Sequence, residues 1–246
     1  MDRLVYVAMS GAKETLRAQT ANNHNLANAS TTGFRADLSA FQSQAVQGAG
    51  LPTRVYATDN TLGFDPTSGE LEQTGRELDV AINGAGWIAV QGADGREAYT
   101  RAGNLRVDVN GQLVTATGHA VLGDGGPIGV PPHGSINVAR DGSVSIVPLG
   151  QTPTTVATVG RIKLVNPPAA DLARGQDGLF RLRLGTDAPA DASVQLTSGV
   201  LESSNVNVAE AMTQMIELAR NFDLQVKAMR TAEEDAASAA RLLQAG

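Results

Sequence analysis

The sequence predicts an α+β protein, with long N- and C-terminal helices forming a coiled-coil-like assembly domain and a central antiparallel all-β domain. Three observations carry this reading. All ten prolines fall between Pro52 and Pro189, and most of the 27 glycines share that middle part, so the two ends are free of helix breakers. Both ends carry apolar residues at alternating steps of three and four, the period of a helix with one buried stripe. The middle carries Asp-Gly and Asn-Gly pairs between short alternating runs, which is hairpin chemistry.

The first helix is set by Met9, Ala12, Leu16, Gln19, Asn23 and Leu26, with Val5 and Ala8 one turn earlier. Its last turns hold Asn22-Asn23-His24-Asn25-Leu26-Ala27-Asn28, an odd composition, because asparagine side chains compete for backbone hydrogen bonds. Such a cluster can end a helix, ligate something or fill a polar layer between helices. The three–four phase points Asn23 into the seam, where a polar residue fixes register at some cost in stability; a frayed helix end is the plainer alternative. Asn28 and Gly33 supply helix-ending chemistry, and Ser30-Thr31-Thr32 turns the chain before Phe34.

Residues 36–76 show little period of either kind and read as an extended connector with scattered short strands. Antiparallel strands follow. Glu77–Ile82 alternates, Gly84-Ala85-Gly86 bends the chain, and Trp87–Gln91 turns at Asp94-Gly95 into Glu97–Arg101. Asn110-Gly111 joins Leu105–Val109 to Gln112–Thr115, and Asp141-Gly142 joins Ile136–Ala139 to Val144–Val147. Arg161–Val165 and Leu179–Leu184 are two further strands.

The last helix has the clearest period. Val208, Met212, Met215, Ala219, Phe222, Val226, Met229, Ala236, Ala240 and Leu243 keep the heptad steps, interrupted by Glu233, and Asn205 or Asn207 is placed to cap its start. Burying one such side chain is worth about 1.5–3 kcal/mol, so a stripe this narrow calls for a partner helix. The domain boundaries expected are 1–35 with 200–246 for the helical part, 36–76 for the connector and 77–199 for the β-rich part. The expected assembly interface is Val5, Met9, Ala12, Leu16, Asn23, Leu26 and Asn28 on one helix. On the other it is Val208, Met212, Met215, Ala219, Phe222, Val226, Met229 and Leu243.

The net charge of −6 and pI near 5.1 argue against a nucleic-acid partner. There is no cysteine, hence no disulfide framework or thiolate metal site. The N-terminal stretch lacks the basic, apolar and small-residue order of a cleaved signal, and Leu4–Met9 is far too short to span a bilayer, so no direct membrane insertion is expected.

Catalytic chemistry finds no constellation. His24, His119 and His133 have no ligand at metal spacing, and no nucleophile elbow, P-loop or dinucleotide fingerprint occurs. Asp108-Val109-Asn110-Gly111 opens like a calcium loop but lacks the downstream glutamate, and reads as a hairpin turn. Glu233-Glu234-Asp235 reads as a solvated helix face. Carboxylates are plentiful, yet nothing places two of them in a cleft. No enzyme, cofactor or metal is expected. Seamed helices at both ends of a chain suggest instead a polymer-forming subunit whose heterologous contacts do not close.

Several motifs resemble one family in order along the chain. Ser10-Gly11-Ala12 and Asn25-Leu26-Ala27-Asn28-Ala29-Ser30-Thr31-Thr32-Gly33-Phe34-Arg35 look like the N-terminal signature of bacterial flagellar rod and hook proteins. Leu78-Asp79-Val80-Ala81-Ile82-Asn83-Gly84-Ala85-Gly86-Trp87, Ala98-Tyr99-Thr100-Arg101-Ala102-Gly103-Asn104, and Asn110-Gly111-Gln112-Leu113-Val114-Thr115 before Val121-Leu122-Gly123 resemble its central block. Leu201-Glu202-Ser203-Ser204-Asn205-Val206-Asn207 is similar to its closing motif. The Met-Asp start, the length of 246 residues and Trp87 are most like proximal-rod members. Asn23-His24-Asn25 departs from the two adjacent asparagines found in many relatives.

The resemblance implies a structural subunit of the flagellar basal-body rod, polymerising into the drive shaft that transmits torque. Its implied partners are copies of itself, other proximal- and distal-rod proteins, and the flagellar type III export apparatus. It implies export without a cleaved signal peptide and a place in the periplasm. A distal-rod or hook-type protein is the alternative within the family, and a wall-associated glycan-binding protein or enzyme the alternative outside it. If the seams wait for neighbours, both ends of the monomer should be partly disordered until polymerisation.

Overall fold

The computed structural model describes residues 3–45, 55–151 and 155–244, with side chains described for 5–39, 63–151 and 155–241. Two compact units emerge. One comprises Met1–Ala29, Ala36–Asp65 and Val206–Gly246; the other comprises Ser30–Arg35 and Pro66–Asn205. The α+β class stands, with helices at the termini and a mostly β centre.

The first unit contains α1 (Arg3–Ala27) and α2 (Val208–Gln244). The start of α2 is capped by Asn207, whose Oδ1 accepts from the backbone N–H of Ala209 at 3.1 Å and of Glu210 at 3.2 Å. The same unit holds a long antiparallel hairpin, Asp37–Ala45 paired with Val55–Phe64, with a register shift between Leu38 and Ser39. The hairpin lies against α1. It occupies the stretch expected to be an extended connector. Its sequence hid it, because two stretches with no alternating apolar set give no period to read.

Every described strand pairing in the second unit is antiparallel. A five-stranded sheet runs in the order Leu164–Val165, Trp87–Gln91, Glu97–Thr100, Phe180–Leu182, Leu172–Arg174. A three-stranded sheet holds His133–Val138, Ser143–Pro148 and Ala157–Arg161. Val80–Asn83 pairs with Gln195–Ser198, and Leu71–Gln73 with Val200–Glu202, so the last strands close on the first. The core between them is aliphatic: Val80, Ile88, Val90, Leu105, Leu113, Val121, Val144 and Ile162 are all at most 1% exposed. The three expected hairpins form, each nailed by an aspartate that accepts backbone N–H groups; Asp108 Oδ1, for example, takes those of Asn110 at 2.9 Å and Gln112 at 2.7 Å.

Two details differ from expectation. Arg161–Val165 is not one strand: Ala157–Arg161 ends as Ile162 bridges to Gly123, and Leu164–Val165 then joins the other sheet. A further Asp-Gly hairpin, at Asp177-Gly178, links Leu172–Arg174 to Phe180–Leu182, strands too short to show alternation. Among the described residues, no helix is long and apolar enough to cross a membrane.

Candidate functional site

The helical unit is built on an antiparallel pairing of α1 with α2. Asn22 Nδ2 donates to the Ala211 carbonyl at 2.7 Å, while a side-chain carbon added at Gly11 would come within 2.9 Å of the Gln225 amide. The contact line on α1 is Ala8, Ala12, Thr15, Ala18 and Asn22, all buried. On α2 it is Ala211, Leu218 and Ala232, buried, flanked by half-buried Met215, Phe222, Gln225, Met229 and Ala236. Small side chains along one helix let two backbones approach closely, leaving room for Leu218 and the half-buried Met and Phe side chains.

This corrects the expected seam in two respects. Met215, Phe222 and Met229 do lie along it, but their heptad partners are Ala211, Leu218 and Ala232, one residue away from Met212, Ala219 and Glu233. The polar residue in the seam is Asn22, whereas Asn23 is exposed. The covered residues are Ala211 and not Met212, Leu218 and not Ala219, Asn22 and not Asn23, so each difference is a one-residue shift of helical phase and not a preference for one side-chain size. The seams are also not bare in a single chain, because each helix covers part of the other.

Several large apolar side chains remain partly uncovered among the exposed polar ones. Met9, Leu16, Val208, Met212 and Ile216 are each about half exposed, at 45–56%. The helical repeat carries Met9 and Leu16 off one flank of the α1 contact line, and Val208, Met212 and Ile216 off the corresponding flank of α2. For antiparallel helices these rotations bring both sets to the same side of the two-helix layer. Asn25, which holds the hairpin, lies on the other flank of α1. Of the remaining expected interface residues, Ala12 is buried, Ala219 is exposed, and Val5, Leu26, Asn28 and Val226 are half-buried. The side chain of Leu243 lies outside the described residues.

The asparagine cluster is explained residue by residue. Asn25 Oδ1 accepts the Asp37 backbone N–H at 2.7 Å, and its Nδ2 donates to the Asp37 carbonyl at 2.9 Å, so its side chain mimics a paired strand. His24 Nδ1 meets Asp37 Oδ2 at 2.7 Å. Asn28 Nδ2 donates to the His24 carbonyl at 2.9 Å, closing the last helical turn. NNHNLAN thus ends α1, bonds it to α2 and docks the hairpin.

Within the β unit, the motif ending in Arg35 meets the motif containing Glu202. Arg35 Nη2 donates to Glu202 Oε1 at 2.6 Å, and Arg101 Nη1 to Glu202 Oε2 at 2.9 Å; Arg35 and Glu202 are wholly buried and Arg101 is 4% exposed. The Gly69 N–H also donates to Glu202 Oε1 at 3.0 Å, the Gly33 N–H donates to the Glu202 carbonyl at 2.7 Å, and Arg101 Nη2 donates to the Gly84 carbonyl at 2.6 Å. Burial pushes the Arg101 guanidinium down from its ordinary value, with the Glu202 carboxylate opposing. Gly33 sits at φ +68°, and a Cβ there would fall 2.3 Å from the Arg101 backbone. Aromatic rings wall the cluster. Arg101 lies over Trp87 at 5.6 Å, Arg174 lies over Phe34 at 4.5 Å and Phe180 at 4.8 Å, and Arg174 Nη2 donates to the Arg35 carbonyl. Sequence reasoning quoted these motifs but missed this cluster; the opposed charges of Arg35 and Glu202 were the available signal.

A glycan-binding or catalytic role would need convergent, uncommitted polar groups. One depression of about 370 Å³ is lined by Glu97, Leu122, Gly123, Asp124, Gly126, Lys163 and Ala190. Its Lys163 Nζ is bonded to Glu97 Oε2 at 2.7 Å, and Glu97 Oε1 has no hydrogen-bond partner among the described residues.

Comparison with known proteins matches the chain to flagellar proteins. A family model described as the flagellar hook protein FlgE/F/G D1 domain matches residues 81–146, within the β unit. A second, the flagellar basal body rod FlgEFG protein C-terminal region, matches 197–242, which includes Glu202 and most of α2. The chain is 47% identical to the flagellar basal-body rod protein FlgF of Escherichia coli (strain K12) over 249 residues, covering 99% of both chains. It is 35% identical to the FlgF of Caulobacter vibrioides, covering 99% of this chain and 98% of that protein. To the flagellar basal-body rod protein FlgG of Buchnera aphidicola subsp. Schizaphis graminum it is 34% identical, covering 91% of this chain and 94% of that protein.

Proposed function

The chain belongs to the flagellar hook and basal-body rod protein family, and from that membership we propose that it is a structural subunit of the proximal rod. The relatives are named for a place in the rod and not for a reaction. Identity of 47% with a FlgF protein against 34% with a FlgG protein favours the proximal over the distal position.

The observation that carries the mechanism is the apolar side of the helix layer. Met9, Leu16, Val208, Met212 and Ile216 present a stripe that a single chain leaves wet, and we assign it to contacts with copies of this chain and with other rod proteins. Burying it in successive subunits builds an open helical array that carries torque. Of the other expected interface residues, Val5, Asn23, Ala219 and Val226 fall beside that flank by helical phase, whereas Ala12 and Leu26 face the α1–α2 seam and Asn28 closes the end of α1. Met215, Phe222 and Met229 act chiefly by holding the two helices together. The subunit reaches the periplasm through the flagellar export apparatus on this reading.

The test is location. Detergent-extracted basal bodies from a strain whose only copy of this gene encodes a tagged full chain should carry the tag in the rod. Swimming cells whose purified rods lack the tag would refute the assignment.

A further inference from the structure

Glu202 is one carboxylate serving two buried guanidinium groups that come from distant parts of the chain. Arg35 lies in the short segment Ser30–Arg35, Arg101 follows the strand Glu97–Thr100, and Glu202 ends the strand Val200–Glu202. Glu202 is the only ion-pair partner of either arginine among the described residues. The two cations are otherwise poorly served: Arg35 Nε and Nη1 and Arg101 Nε are buried without a hydrogen-bond acceptor among the described residues. Removing the one anion therefore leaves two charged groups stranded where water cannot reach them, which is the costly way to break a buried ion cluster. Glu202 also ties down backbone. Its Oε1 holds the Gly69 N–H and its carbonyl holds the Gly33 N–H, so three separate stretches converge on this residue.

We propose that Glu202 is the closing latch of the β unit: Ser30–Arg35 and the Arg101 loop are fixed only when the penultimate stretch of the chain delivers its carboxylate, and they are released first when it is lost. Loop-closure entropy places this event late. The pairs 35–202 and 101–202 are 167 and 101 residues apart in sequence, whereas the hairpins at Asp94-Gly95, Asn110-Gly111 and Asp141-Gly142 close locally. A contact formed after the rate-limiting step slows unfolding and leaves folding almost untouched. The β unit of a chain that has not yet presented residue 202 accordingly has its sheets but not its lock.

Trp87, the only tryptophan of the chain, packs on Phe180 at a centroid distance of 4.6 Å and lies under Arg101, so its fluorescence reports the latch in the intact protein. Stopped-flow unfolding and refolding of the full chain should show Glu202→Gln unfolding at least 100-fold faster while its refolding rate stays within threefold of the parent. A triple variant, Arg35→Met with Arg101→Met and Glu202→Leu, removes both charges and their neutraliser together. It should bring unfolding back to within tenfold of the parent. An unchanged unfolding rate for Glu202→Gln overturns the proposal, as does a loss carried mainly by slower refolding. If the triple variant is no slower to unfold than Glu202→Gln, charge neutralisation is not what the residue supplies, and the proposal also falls.

Discussion

Replacing Met212 or Ile216 with aspartate should separate assembly from folding, and the size of the effect follows from exposure. Met9, Leu16, Val208, Met212 and Ile216 retain between 45% and 56% of their accessible surface in the single chain. Full burial of such a side chain is worth about 1.5–3 kcal/mol, so covering what is still exposed adds about 0.7–1.7 kcal/mol each. The five together offer about 4–8 kcal/mol per subunit, in the range of the cost of immobilising a subunit on a growing end. One buried aspartate reverses this, because its charge must be desolvated or neutralised without a partner. In the monomer the same aspartate stays wet, and only the part of the side chain already covered is lost, about 0.7–1.4 kcal/mol. Leu218→Ala is the mirror case. Leu218 is 4% exposed in the α1–α2 seam, so truncation should cost about 2–5 kcal/mol of the helical unit's stability. Circular dichroism melts of purified chains, beside electron microscopy of rods from cells carrying each variant, read both quantities. Normal rods from Met212→Asp and Ile216→Asp, or a melt lowered by them as far as by Leu218→Ala, would refute the division into a covered and an uncovered side.

Other consequences are sharper at single sites. Asn25→Ala removes both bonds to the Asp37 backbone and should cost about 1–3 kcal/mol, seen as faster amide exchange at Asp37 than in the parent. Gly33→Ala forces a side chain into a left-handed conformation, worth about 1–2 kcal/mol before its clash with the Arg101 backbone, and the β unit should melt measurably earlier by Trp87 fluorescence. Acid should loosen the β turns in a defined window. Backbone N–H bonds hold Asp108 below the usual carboxylate range, a Ser143 hydroxyl bond does so for Asp141, and the Arg181 guanidinium for Asp177. These depressed values give stability that is fully present above an unfolded carboxylate value of about 3.9 and lost as pH falls through the lower folded values. A melt that is flat from pH 7 to about 4 and declines below that is expected; a decline beginning near neutrality would contradict it.

Much of the fold could be read because local chemistry decided it. Asp94-Gly95, Asn110-Gly111 and Asp141-Gly142 each make their hairpin with an aspartate that accepts the backbone N–H two residues on, so no distant information is needed. The terminal helices were legible for the same reason, and Asn207 was legible as a cap. The seam's phase was not. Met212 and Ala211 are both apolar neighbours, and only the small residues of α1, almost two hundred positions away, decide which of them is covered. The pairing of Asp37–Ala45 with Val55–Phe64 was invisible because neither stretch carries an alternating apolar set in its sequence. The Arg35–Glu202–Arg101 cluster depends on three residues that only the completed β unit brings together; their motifs were recognisable, but their contact was not.

A single thiol on the partly exposed apolar flank of the helix pair reports whether neighbouring subunits cover it. The chain contains no cysteine, so Met212→Cys introduces a single thiol on that side. Its rate of maleimide labelling should be compared between the free monomer and intact rods isolated from motile cells. Shielding by neighbouring subunits predicts rapid labelling in the monomer and at least a 100-fold slowing in the rod. Equal rates in both would contradict it.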